Sequence, residues 1–289
     1  MNFKNRILTY RQTGQVKLKC MIRLDRLFKS KSERERFNKK WNEFVDDDCN
    51  NVIYRLKGDR LMYDSEQLVP TITNDTPSLL LVLGNPASES VNNGMFFSTN
   101  NDGKELRFWT SILEPAGLLP PLPNKNLPAK SLNQRRKKQL WDLDYNTPYR
   151  IGLCVFISMP SAPGGKWGGV AGVQKLIGAK AFRELEKEET FRIIKVTKKF
   201  VKRKGAVITF QKNAWENLHA DKDPEYSIDN ARKGQLKGTL KGALHIPLFG
   251  VPPTRLSGPS QDVLKKFVAK LNKQQGQYFI LNKCNSIAQ

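Results

Sequence analysis

Four short apolar runs, each ending near proline or small polar residues, constrain this chain more than any other feature. They are Leu79 to Leu83 (LLLVL), Ile151 to Ile157 (IGLCVFI), Ala206 to Phe210 (AVITF) and Leu244 to Phe249 (LHIPLF). Runs this short and this uniformly apolar read as strands buried on both faces. Helix-patterned stretches lie between and after them. Phe108, Trp109, Ile112 and Leu113 fall at helical spacing, closed by Gly117. Charged helices are expected from Ala179 to Lys187 and from Glu189 to Lys202, and a last one from Gln261 to Leu271 carries Val263, Leu264, Phe267, Val268 and Leu271 on one face. Strands alternating with helices predict an α/β fold, a three-layer αβα sandwich around a central, mainly parallel four-stranded sheet. Parallel strands end together, and ligands of open sheets bind at that carboxyl edge.

The α/β pattern occupies residues 76–275 of a 289-residue chain. Residues 1–75 read as a basic arm with a helix from Ser32 to Phe44, striped by Phe37, Trp41 and Phe44, then a hairpin through Lys57-Gly58-Asp59. Residues 276–289 read as a C-terminal tail. The 49 Lys and Arg against 27 Asp and Glu give a net charge of +22, which favours a polyanionic partner, nucleic acid first. Charge supplies affinity for phosphate, not identity, so RNA, an acidic protein or a membrane surface fit it as well.

Cys20, Cys49, Cys154 and Cys284 are scattered without the close pairing of a zinc or iron–sulfur site, so no metal is expected. No apolar run reaches the length of a membrane span, and the N-terminus lacks the apolar core of a secretory signal. The expectation is a reducing, cytoplasmic setting.

Chemistry concentrates after the first strand. Gly84-Asn85-Pro86-Ala87 closes LLLVL, and an Asn-Asn-Gly turn leads to Phe96-Phe97. Asn85 is thereby expected at the carboxyl edge of the sheet. A lone Asn-Pro after a strand is equally an ordinary turn. The second strand runs into Ser158-Met159-Pro160 and a glycine-rich loop, SAPGGKWGGVAGV, carrying Lys166 and Trp167. No Gly-Lys-Ser/Thr ends that loop, so it is not a P-loop; it reads as a flexible connection or as a mobile nucleic-acid-binding loop. A proline-rich connection is followed by Gln134-Arg135-Arg136-Lys137-Lys138, either a solvated charge run or a DNA clamp.

These pieces, in this order, resemble the uracil-DNA glycosylase superfamily over residues 78–271. The superfamily's first motif, a strand then Gly-x-Asn-Pro-Gly or a variant and a loop ending in Gly-x-x-Phe, is answered by Leu83-Gly84-Asn85-Pro86-Ala87, with Leu83 at the place of its first Gly, and by Gly94-Met95-Phe96-Phe97. Phe108-Trp109 and Ala116-Gly117-Leu118 match the helix that follows. The resemblance implies a monofunctional DNA glycosylase needing no cofactor. It would flip a base out of duplex or single-stranded DNA, stack it on Phe97 and hydrolyse the N-glycosidic bond with a water held by Asn85. An amide cannot take a proton at neutral pH, so Asn85 positions water rather than acting as a base.

The chain departs from the pattern in three places. The last motif, often His-Pro-Ser-Pro, aligns best with Val251-Pro252-Pro253-Thr254, which loses the histidine and makes Arg255 the wedge that fills the vacated stack, or else a phosphate contact. A second register uses His245 as a catalytic residue, although it lies within a strand. Ala87 stands where uracil-specific enzymes carry an aromatic that blocks the 5-position, and Ser158 stands near the place of the base-reading Asn. The implied substrate is a uracil-like or 5-modified pyrimidine, removed in base-excision repair or in antiviral defence against modified phage DNA. The alternative is a catalytically degenerate nucleic-acid-binding protein. The residues implied to touch substrate or DNA are Gly84, Pro86, Ala87, Phe97 and Ser158, with Thr254, Arg255, Lys166, Arg135 and Arg136; no protein partner is indicated.

Overall fold

The computed structural model describes residues 6–46, 48–71, 76–98, 104–202 and 204–287, with side chains to residue 273. Its strands are β1 (Leu8–Gln12), β2 (Lys17–Arg23), β3 (Tyr54–Lys57), β4 (Arg60–Leu68), β5 (Ser78–Leu83), β6 (Arg150–Val155), β7 (Ala206–Thr209), β8 (Lys237–Leu240) and β9 (Ala243–Gly250). All nine join one sheet in the order β1-β2-β4-β6-β5-β7-β9-β8, with β3 paired to β4.

The four runs read from the sequence are its centre. β5 pairs in parallel with β6 and β7, and β7 with β9. Successive side chains of a strand point to opposite faces. Leu80 and Val82 accordingly enter one core with Val207 and Phe182, while Leu79, Leu81 and Leu83 enter the other with Trp109, Leu264 and Phe267. Helices cover both faces.

The sheet is larger than the four strands expected, because both flanks extend it with antiparallel strands. Residues assigned to an N-terminal arm form β1 to β4, and β4 joins the parallel centre through Gln67 and Leu68 on β6. The hairpin through Gly58 is present, with that glycine at φ +56°. Its second strand runs on to Leu68, through polar residues that read as loop. On the other flank, the polar stretch with repeated Lys-Gly before Leu244 supplies β8, which pairs with β9.

The helix Lys31–Val45 buries Phe37, Trp41 and Phe44 as their spacing predicts. The two helices expected between the second and third strands are one, Ala179–Phe200. The Phe108–Leu113 segment is a π-helical turn, with bonds such as Glu114 N–H to Trp109 O at 3.0 Å, and Gly117 follows at φ +74°. The last helix is Ser257–Ile287, so most of the expected tail continues it. No helix among the described residues is long and apolar enough to cross a membrane.

Candidate functional site

Because β5, β6, β7 and β9 are parallel, the segments leaving them meet at one edge. Ile157 N–H donates to Gly84 O at 2.9 Å, Phe210 N–H to Val82 O at 2.9 Å and Val251 N–H to Thr209 O at 2.9 Å. Gly84 has a packing reason to be glycine, since a Cβ there would lie 3.0 Å from the Gln211 side chain. The next residue is Asn85, half-buried at the carboxyl end of the central strand.

The loops after β5 and β6 are stitched together around Asn85. Ser161 N–H donates to Pro86 O at 3.1 Å, and Ser88 N–H to Ser161 O at 2.9 Å. The Asn85 amide nitrogen donates to Ser161 Oγ at 2.9 Å and to Met159 O at 3.2 Å. Those bonds fix which end of the amide is which. Its oxygen Oδ1 meets no protein donor among the described residues.

Phe97 stands beside it with φ +44°, a backbone region that a bulky side chain rarely adopts. The turn is held by Trp109 Nε1–H donating to Phe97 O at 2.9 Å. One ring face stacks on Phe108, with centroids 4.0 Å apart and planes 20° apart.

Two adjoining cavities share Leu83, Asn85, Phe97 and Gly169. The larger, of about 430 Å³, is lined also by Gly84, Gln174, Gln211, Asn213, Thr254 and Arg255. Val170 and Ala171, first-turn residues of the Gly169–Ile177 helix, line it as well. Their amides have no intrahelical acceptor, as at the start of any helix. The smaller, of about 290 Å³, is lined by Pro86, Ala87, Ser90, Phe96, Leu106, Val155 and Glu66 among others.

Glu66 is absent from the sequence-derived set. It is only 2 % exposed, yet neither carboxyl oxygen has a hydrogen-bond partner among the described residues, and Oε1 is fully buried. Lys17, its cross-strand neighbour, pairs instead with Asp64 at 2.6 Å. Burial, with no compensating charge, holds the Glu66 carboxyl well above the usual carboxylate range.

The structure thus brings together Gly84, Asn85, Pro86, Ala87, Phe97, Thr254 and Arg255. Other expected residues lie elsewhere. Ser158 lines neither cavity; it is fully buried, its N–H donating to Glu189 Oε1 at 2.6 Å and its hydroxyl 2.7 Å from that of Tyr63. It has turned away from the site, under the Ala179–Phe200 helix. His245 is exposed near the start of β9, away from the carboxyl edge, and the only other histidine, His219, also lines neither cavity.

Arg136 is not a surface cation. It is 1 % exposed, bonded to Glu105 at 2.7 Å and 3.0 Å and paired with Glu114. The run that holds it is one helix, Ala129–Trp141, whose rotation turns Arg136 inward and leaves Arg135 exposed, away from both cavities. Lys166 pairs with Glu43 and sits 5.0 Å over the Trp167 ring, outside both cavities. Among the described residues, no group of His, Cys, Asp and Glu is placed to hold a metal ion. A further hollow of about 560 Å³, on β1 to β4, is lined by Arg11, Lys17, Lys19 and Arg55 and shares no residue with the sheet-edge pair.

Comparison with protein-family models and with curated protein sequences finds no match for this chain.

Proposed function

We propose that this protein is a DNA N-glycosylase that flips a pyrimidine nucleotide out of DNA and hydrolyses its N-glycosidic bond, leaving an abasic site. The observation that carries the reading is the fixed orientation of Asn85 beside Phe97. With Nδ2 held by Ser161 and Met159, Oδ1 is the atom left to accept a hydrogen bond from a water. Phe108 covers one face of Phe97, and the ring lines both cavities, a surface on which a flipped base stacks.

The water oxygen attacks the anomeric carbon as the bond to the base breaks and the base takes the electron pair. Asn85 contributes by holding the water in line, not by taking its proton. Arg255 and Thr254, at the rim of the larger cavity, face the DNA, where a guanidinium contacts a phosphate or fills the gap in the stack. The +22 charge supplies salt-sensitive affinity for the duplex. Ala87, small and lining the inner cavity, leaves room for a substituent at the 5-position of the base. Base-excision repair and defence against modified phage DNA both use this chemistry.

The absence of a histidine from either cavity favours a second reading, a nucleic-acid-binding protein that keeps the fold without the reaction. An abasic-site assay on oligonucleotides bearing uracil, cytosine and their 5-substituted forms separates the two. Glycosylase action predicts strand breaks after alkali with at least one of these bases. Asn85→Ala should then slow release by about 100-fold or more, the scale of losing one fixed polar contact in the transition state, while DNA affinity barely changes. Tight binding with no base released would leave the binding protein as the answer.

A further inference from the structure

The inner cavity contains a group that the water-positioning chemistry does not use. Among the described residues, Glu66 is the one titratable side chain lining it, buried and without a hydrogen-bond partner. Leaving a buried polar group unsatisfied costs about 1–3 kcal/mol, so its place beside Asn85 and Phe97 calls for a ligand that completes it. The cavity, about 290 Å³, exceeds by several times the ~30 Å³ share of one water in the liquid. A pyrimidine stacked on Phe97 would have its polar edge turned to such a wall.

We infer that Glu66 reads the base and protonates it, and that the base is an aminopyrimidine of the cytosine type. This rests on the glycosylase reading and names its substrate class. A neutral carboxyl offers one donor and one acceptor side by side. The edge of a cytosine-type base offers their complement: ring N3 accepts, and the exocyclic amino group donates. A uracil-type base can also pair with a neutral carboxyl, through N3–H and O4. It cannot take the next step, because its N3 already carries a hydrogen.

That step is proton transfer. As the bond between the sugar and N1 breaks, the base receives the electron pair, and N3 takes the proton from Glu66. The base leaves neutral rather than as an anion. The water at Asn85 forms the new C–O bond and gives its proton to solvent, from which Glu66 is reprotonated. Burial, which holds the carboxyl protonated above the usual carboxylate range, suits it to this role.

The test compares oligonucleotides carrying 5-substituted cytosine with those carrying the matching 5-substituted uracil. Wild type should release the cytosine-type base faster. Glu66→Gln keeps a donor and an acceptor but has no transferable proton. It should bind the cytosine-type oligonucleotide as wild type does, yet release the base about 10²–10⁴-fold more slowly. Its action on the uracil-type partner should fall far less, so the preference narrows or reverses. An unchanged melting temperature will show that the variant is folded. Release of only the uracil-type base by wild type, or equal slowing of both bases in Glu66→Gln, would overturn the inference and leave the glycosylase reading standing. Release of no base by wild type would overturn both.

Discussion

Two glutamates, one on β4 and one on the helix Ala179–Phe200, are buried under opposite conditions. Glu189 accepts from Ser158 N–H and Oγ through one oxygen and from Arg192 Nε at 2.6 Å through the other. Arg192 goes on to Phe156 O at 3.2 Å and Gln67 Oε1 at 3.3 Å, and it also bonds Val155 O. Burial alone would depress the Arg192 pKa, but its charge and hydrogen-bond interactions, with Glu189 foremost, together more than offset that and raise it. Glu66 sits next to Gln67 on the same strand, so the pleat turns it to the other face of the sheet, where nothing among the described residues bonds it. The satisfied pair holds the sheet to its covering helix. The unsatisfied carboxyl lies where an incoming molecule can reach it. Both side chains are buried; partner count separates scaffold from site.

The largest effect should come from breaking the satisfied side. Arg192→Met strands Glu189 in the core and should lower the unfolding free energy by about 3–5 kcal/mol, read from urea denaturation. A loss below 1 kcal/mol would erase the contrast.

Removing the other carboxyl should act in the opposite sense. Glu66→Met deletes an unpaired buried group and should raise stability at neutral pH by about 1–3 kcal/mol. Its pH dependence sharpens the point. The unfolded chain releases the Glu66 proton near the ordinary value of 4.5, while the folded chain keeps it to higher pH. This group's contribution to stability is therefore full below 4.5 and declines as pH rises towards the raised folded value. Wild type should fall behind Glu66→Met progressively over that window. Parallel curves would mean that Glu66 has a partner in solution.

The smallest effect belongs to Lys166. Its bond to Glu43 lies at the surface, where such pairs contribute little, so Lys166→Ala should leave the melting temperature unchanged. A clear drop would move Lys166 to the structural side of the comparison.

The sequence exposes what depends on local pattern. The four apolar runs locate the parallel centre, and the Asn85 and Phe97 segments line the same pair of cavities. Elsewhere the outcome depends on partners far along the chain. Arg135 and Arg136 are indistinguishable as letters, and only the rotation of their helix against Glu105 and Glu114 separates them. Ser158 is claimed by Glu189, 31 positions away. Glu66 lies in YDSEQL, whose polar composition reads as loop, because the strand is made by neighbours on both sides rather than by its own hydrophobicity.

The junction of β4 with β6 also has a consequence for synthesis. Gln67 and Leu68 pair with Cys154 and Leu153, which leave the ribosome much later. At about 5–20 residues per second, the delay is several seconds. For that time the growing edge of β4 is an open template for strand addition. Asp64 and Glu66 place negative charge along it in the nascent chain, and that charge discourages a neighbouring polypeptide from docking there before β6 arrives.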